Sequence, residues 1–83
     1  MKIEMNGDQP VVDAADLGPL LGLDPAVVQG KMRRNEITCL HETGQEEDAG
    51  RFRLTFRYGG KRVRLTCSAD GTVISTIKTN VGA

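Results

Sequence analysis

The chain has 83 residues, of which 39% are hydrophobic, and its formal net charge is zero. This length suits one domain spanning residues 1–83 and leaves no room for a second core. No apolar run approaches the ~18 residues that a membrane-spanning helix needs, and no signal-peptide core follows Met1-Lys2. These features predict a cytoplasmic protein without a membrane partner.

Charge is unevenly distributed along the chain. Residues 1–50 carry four basic and ten acidic side chains, whereas residues 51–83 carry seven basic side chains and a single acid, Asp70. Such an asymmetry suggests an anionic partner for the second half. The alternative is that the two halves neutralise each other within the fold or across a dimer.

The first 35 residues predict a short hairpin followed by two helices. Residues 2–5 alternate as a half-buried strand does, residues 6–8 form a turn signal, and residues 10–12 suit a short returning strand. Asp13 or Asp16 can cap the first helix. We favour the earlier cap, which places Pro19 inside the helix and distorts its middle. Gly22 is typical of a left-handed helix end. The apolar face comprises Leu17, Leu20 and Leu21.

The second helix has clear boundaries in the sequence. Asp24 is a good cap, Pro25 suits the first helical position, and Asn35 is a plausible stop. Val28 and Met32 are four residues apart and are expected to face the core.

Four strands are predicted in the rest of the chain. Residues 37–43 read as a strand, and residues 44–50 as an acidic loop. Residues 51–58 and 61–67 alternate without a break around Gly59-Gly60, which suits a two-residue hairpin turn with positive φ at both positions. Asp70-Gly71 predicts a second turn, residues 73–79 a last strand, and residues 80–83 a frayed tail.

These elements predict an α+β fold in the order β(β)ααββββ. It is an antiparallel β-meander of three to five strands with two short helices packed on one face.

A two-residue turn fixes the register of the central hairpin, pairing Tyr58 with Lys61 and, at the far end, Phe52 with Cys67. A one-residue slip would bury arginines, so this register is well specified. The predicted core face comprises Phe52, Leu54, Phe56, Val63, Leu65 and Cys67. The opposite face comprises Arg51, Arg53, Arg57, Arg62 and Arg64.

Five arginines on one sheet face require nearby acidic groups that offset the repulsion between their charges. Arg57 directly opposite Arg62 is an unfavourable like-charge pair. The compensating acids could be internal, from Glu42 or from Glu46, Glu47 and Asp48. They could also be external, from phosphate or an acidic protein surface. Arginine rather than lysine favours two-pronged contacts with either anion.

Residues 17–37 resemble an excisionase-type helix-turn-helix, through the turn Leu21-Gly22-Leu23 and the capped second helix. Lys31, where the motif usually has a core residue, and Pro19 depart from the pattern. The resemblance implies a recognition helix in the major groove and a hairpin wing on the DNA backbone. The implied contacts are Gln29, Arg33 and Arg34 on the helix, with Arg57, Lys61 and Arg62 on the wing.

Catalytic chemistry has little support in the sequence. Cys39 and His41 share a face of one strand, but a metal site or an activated thiol needs more partners than these two. No phosphate-binding glycine loop or metal-binding helix signature occurs. We therefore expect a non-enzymatic protein without catalytic residues, metal or cofactor.

Over nearly its full length the chain resembles a family of short, uncharacterised bacterial proteins. The matching stretches include residues 20–26, 47–51, 53–56 and 62–65. The resemblance implies a bacterial cytosolic setting and no particular mechanism. Our first hypothesis is an accessory or interaction domain that uses its arginines on an acidic protein surface or in self-association. The alternative is a nucleic-acid-binding regulator.

Overall fold

The computed structural model describes residues 2–7, 9–44 and 50–80, and within them it shows two helices and two antiparallel sheets. One sheet pairs β1 with β2, and the other has the order β3-β4-β5-β6. The predicted α+β fold and its element order are confirmed. The elements are β1 Glu4–Asn6, β2 Gln9–Val11, α1 Ala14–Leu21, α2 Pro25–Arg33, β3 Ile37–Thr43, β4 Arg51–Tyr58, β5 Lys61–Ser68 and β6 Val73–Asn80.

Both helices begin at the predicted aspartates. The Asp13 carboxylate accepts a hydrogen bond from the Ala15 backbone N–H, at 2.9 Å, which fixes the earlier of the two possible starts and leaves Pro19 inside α1. Asp24 caps α2 in the same way. Gly22 closes α1 with a φ of 71°, in the left-handed region that glycine adopts without a steric penalty. Neither described helix is long and apolar enough to cross a membrane.

The end of α2 corrects one expectation about the core. Asn35 stops the helix with a φ of 61°, as predicted, but Met32 is 36% exposed. Val28 is the only buried residue of α2, because the packing of this helix face against the core cluster does not extend to Met32. Met32 instead lines a cavity beside Gln9 and Cys39.

The central hairpin has the predicted register. Tyr58 pairs with Lys61, and each pair back to Phe52 with Cys67 follows in step. The turn itself differs, since Gly59 has a φ of 56° whereas Gly60 does not have positive φ. A positive φ at the first turn residue alone is the pattern of a type II′ turn, which also matches the twist of the strands.

A single cluster of buried side chains joins the helices to one face of the large sheet. The segment that joins the helices passes closely over Gly18, where a Cβ would lie 2.7 Å from the Leu23 carbonyl oxygen. All six predicted hairpin core residues belong to the cluster. Its members are Ile3, Leu17, Leu21, Val28, Ile37, Phe52, Leu54, Phe56, Val63, Leu65 and Cys67.

The last strand is longer than the sequence predicted. Asn80, expected to begin a frayed tail, is the final residue of β6 and pairs with Lys61. The reason is that β5 begins directly after the turn and offers its first backbone groups to Asn80. Residues 81–83 lie outside the described residues.

The turn between β5 and β6 depends on an ionised side chain. The Asp70 carboxylate accepts hydrogen bonds from the Ser68 hydroxyl, at 2.6 Å, and the Thr72 backbone N–H, at 2.9 Å. These bonds lower the pKa of Asp70 from 3.8 to about 2. A folded-state pKa below the unfolded value means that this stabilisation is complete above about pH 4 and is lost as the pH falls towards about 2.

We therefore expect Asp70→Asn to lower the urea midpoint near neutral pH, and this deficit to shrink as the pH falls from about 4 to about 2. Urea unfolding of both proteins across that range measures the difference directly. Comparison with the variant cancels the titration of the other carboxylates. A deficit that stays constant with pH would show that the ionised form of Asp70 contributes nothing to stability.

Candidate functional site: the outer face of the four-stranded sheet

The helices cover one face of the large sheet. On the opposite face the side chains form three rows across all four strands, and Arg51 and Ser68 form a shorter fourth row. We call this opposite surface the arginine face, because it carries Arg51, Arg53, Arg57, Arg62 and Arg64. The row nearest the β4–β5 turn is Thr38, Arg57, Arg62 and Thr79. The central row is Leu40, Thr55, Arg64 and Ile77, and the third row is Glu42, Arg53, Thr66 and Ser75.

The central row combines apolar margins with a polar middle. Leu40 on β3 is 57% exposed and Ile77 on β6 is 52% exposed, so each presents apolar surface to solvent. Thr55 and Arg64 lie between them on the two inner strands. Three strand spacings separate the two apolar residues, a distance of about 14 Å. The arginine face is therefore a mixed surface rather than a uniformly charged one.

A cavity of about 270 Å³ opens on this face, and Arg57, Arg62 and Arg64 all line it. Thr55 lies beside them and is only 6% exposed, although its side chain lies on the sheet face opposite the core. The Thr55 hydroxyl and the Arg64 Nε are both buried, and neither has a hydrogen-bond partner among the described residues. We call this space the Thr55 cavity.

Glu42 also lines the Thr55 cavity, but it does not neutralise the arginines by direct pairing. It faces Arg53 across β3 and β4, yet no carboxylate of residues 2–7, 9–44 or 50–80 lies within 4.0 Å of an arginine of this face. The ion pairs in that part of the chain join Glu36 to Lys31 and to Arg34. The other predicted internal acids, Glu46, Glu47 and Asp48, lie outside the described residues.

The remaining predicted contact residues lie on the helical side. Lys61 donates a hydrogen bond from Nζ to the Leu21 carbonyl oxygen, at 3.3 Å, so it points away from the arginine face. Helix α2 packs on that same side, with Lys31 over the Tyr58 ring at 5.2 Å. The residues proposed for DNA contact are thus divided between two sides of the sheet. Among the residues proposed for DNA contact, those that lie on α2 or directly after it are Gln29, Arg33 and Arg34.

The family comparison covers the whole chain. Residues 1–83 match the model of DUF6522, a family of unknown function. The chain belongs to this family. No curated protein and no solved structure matches it. The predicted resemblance to a family without a known function is confirmed, whereas the likeness to an excisionase-type helix-turn-helix gains no support.

Cysteine chemistry is weakly supported in this DUF6522 member. Cys39 and His41 do share the helical side of β3, as predicted, and Cys67 is buried. Cys39, however, is exposed. Desolvation by neighbouring protein atoms raises the pKa of both thiols, although Cys39 keeps part of its surface in water, and this lowers the thiolate fraction that nucleophilic attack requires. His41 contacts the Phe52 ring edge-on, with the ring centroids 5.5 Å apart, and so packs against the core.

Sequence reasoning missed the exposed apolar residues of this surface, Leu40 and Ile77, and the burial of Thr55. Leu40 lies within the predicted strand of residues 37–43, but it was not assigned to a face. Its face could have been found from parity, because it lies between Cys39 and His41 and must point to the opposite side. The burial of Thr55 had no sequence signal, since it depends on its neighbours on both adjacent strands.

Proposed function

We propose that the arginine face is a binding surface for an acidic region of another protein, and that the protein acts by association rather than by catalysis. The observation that supports this most directly is the clustering of Arg57, Arg62 and Arg64 around the Thr55 cavity, where Glu42 is the one described carboxylate in the lining and forms no ion pair with them. Guanidinium groups suit two-pronged contacts with carboxylates. The expected setting is the bacterial cytoplasm.

The composition of the face favours a protein partner. Arginine is enriched at protein interfaces, and interfaces commonly combine apolar contacts with a polar rim. Leu40 and Ile77 offer two exposed apolar contacts about 14 Å apart, with the arginines between and beside them. A matching partner would carry acidic side chains flanked by apolar ones.

A nucleic-acid partner is the less supported alternative. Single-stranded binders stack bases on aromatic side chains, and the outer face has none, because Phe52, Phe56 and Tyr58 all point to the helical side. The helix-turn-helix hypothesis needs α2 and the wing to face the same DNA. Lys61 and α2 lie on one side of the sheet, whereas Arg57 and Arg62 lie on the other.

Self-association is a second candidate, and β6 favours it. This edge strand has eight residues, carries one charge and no proline, and all of its residues after Val73 are exposed. Such an edge can pair with a strand of a second copy. Stacking of two arginine faces is disfavoured by charge repulsion, so a dimer would form through the edge. Light scattering distinguishes a dimer from a monomer.

The decisive experiment measures binding of fluorescently labelled poly-L-glutamate, and separately of a DNA duplex, to the full chain at matched ionic strength. We expect saturable binding to poly-L-glutamate and at least about tenfold weaker binding by the double variant Arg57→Gln/Arg62→Gln. The physical reason is the loss of two guanidinium groups at the centre of the surface. Fluorescence anisotropy gives both dissociation constants.

The matched control is Arg33→Gln/Lys78→Gln, which removes the same charge from the other side of the sheet. We expect it to change poly-L-glutamate binding by no more than about twofold. Equal losses in the two double variants would reduce the effect to net charge and overturn the proposal. Tighter binding of the duplex, weakened by Arg33→Gln/Lys78→Gln, would favour the nucleic-acid alternative instead.

A further inference from the structure

Two neighbouring hydrogen-bonding groups on the arginine face have no acceptor among the described residues. Thr55 and Arg64 are directly paired across β4 and β5, and both line the Thr55 cavity. The Thr55 hydroxyl and the Arg64 Nε–H are buried, and they bond neither to each other nor to another described group. Both can donate a hydrogen bond, and Arg64 also carries a full positive charge.

Leaving such groups without partners is costly, since buried polar groups in folded proteins are nearly always hydrogen-bonded. A threonine at this position is therefore informative. A valine would fill the same volume, suit a strand equally well and leave no hydroxyl to satisfy. A ligand that accepts from both groups would account for the arrangement.

We propose that the Thr55 cavity is a binding site for a single oxyanion, which accepts hydrogen bonds from the Thr55 hydroxyl and the Arg64 Nε–H. Arg57 and Arg62 line the same cavity and supply further positive charge, against the single carboxylate of Glu42 in the lining. This inference rests on the proposed function and deepens it, because it names the point where one acidic group of the partner would enter.

The oxyanion could be a side-chain carboxylate or a phosphate, because both accept charge-assisted hydrogen bonds from a guanidinium. A cavity of about 270 Å³ has room for either group. The like-charge pair of Arg57 and Arg62 becomes favourable once an anion lies between them. The two sources differ in charge and shape, so they are separated by using inorganic phosphate and acetate as distinct probes.

The experiment follows the arginine Nε–H resonances of the full chain by NMR during titration with phosphate, and then with acetate, against chloride of equal ionic strength. We expect the Arg64 resonance to shift saturably with at least one anion. Its assignment comes from its disappearance in Arg64→Gln. In a parallel thermal unfolding series, the saturating anion should raise the melting temperature of the wild type by about 5 °C.

Thr55→Val removes the hydroxyl without changing charge, and Thr66→Val makes the same change one row away. We expect Thr55→Val to lose at least half of the anion-induced rise in melting temperature, and Thr66→Val to keep it. Without the anion, Thr55→Val should be at least as stable as the wild type, because an unpaired hydroxyl is removed. This second result keeps the test independent of folding defects.

The proposal of an oxyanion-binding site is overturned if the Arg64 resonance shifts no more than those of Arg51 and Arg53, or if both threonine variants respond like the wild type. If the wild type binds poly-L-glutamate but its Arg64 resonance does not respond to the anions, the oxyanion-binding site is refuted and the proposed interaction surface still stands. If the Arg64 resonance responds saturably in a chain that does not bind poly-L-glutamate, the protein-binding surface is refuted and the oxyanion-binding site still stands.

Discussion

Replacing Gly71 with alanine is expected to destabilise the domain by about 3 kcal/mol, combining left-handed backbone strain with a steric clash. Gly71 has a φ of 94°, and a Cβ built on it would overlap the Ile3 carbonyl oxygen. The Gly71 carbonyl also accepts a hydrogen bond from the Ile3 N–H, at 2.7 Å. The turn therefore cannot move away without breaking the contact that holds the N-terminal segment to the sheet.

The loss would be measured by thermal or urea unfolding, where about 3 kcal/mol corresponds to a melting temperature lower by some 12–24 °C in a domain of this size. Gly30→Ala is the matched control, since it adds the same methyl group inside α2. There a Cβ would meet only the end of the Arg34 side chain, at 3.5 Å. We expect that variant to gain about 0.5–1 kcal/mol. A Gly71→Ala protein as stable as the wild type would contradict the described packing of the turn against Ile3.

Phe56→Ala is expected to cost about 3–5 kcal/mol, a large part of the roughly 4–12 kcal/mol typical of a chain of 83 residues. Phe56 is 2% exposed and is among the largest fully buried side chains of the protein. Its removal would lose apolar burial and leave a cavity beneath the helices. Chemical unfolding gives the change from the denaturant midpoint and slope.

Leu40→Ala serves as the control for the opposite face. Leu40 lies on the neighbouring strand next to Cys39, which pairs with Phe56, but its side chain points outward and is exposed. We expect a change within about 0.5 kcal/mol, as for surface substitutions in general. Similar losses in both variants would mean that the outer face is also a packed interior, and the binding surface proposed here would be excluded.

Local sequence signals determined most of the fold. The alternation of residues 51–67 around Gly59-Gly60 fixed the register of the central hairpin, because any one-residue slip would exchange phenylalanine for arginine in the core. Asp13 and Asp24 determined where the helices begin, since their carboxylates satisfy backbone N–H groups only a few residues away. Each of these features depends on neighbours that lie close in the chain or directly across one turn.

Tertiary packing decided the features that depend on residues distant in the chain. Met32 had the right helical spacing for the core, yet it is partly exposed because it borders an open cavity and does not pack against the core cluster. Lys61 lies on the helical side because it alternates with Arg62 along β5, and the packing of α1 supplies its hydrogen-bond acceptor, the Leu21 carbonyl oxygen, from 40 residues earlier in the chain.

The candidate site shows the same division. The sequence by itself determined that the hairpin arginines share one face, because strand alternation requires it. Only the tertiary structure showed that Leu40 and Ile77 are exposed at the margins of that face and that Thr55 is buried beside Arg64. The physical reason is that the exposure of these side chains depends on how all four strands pair. The sequence pattern within one strand does not determine which other strands become its neighbours.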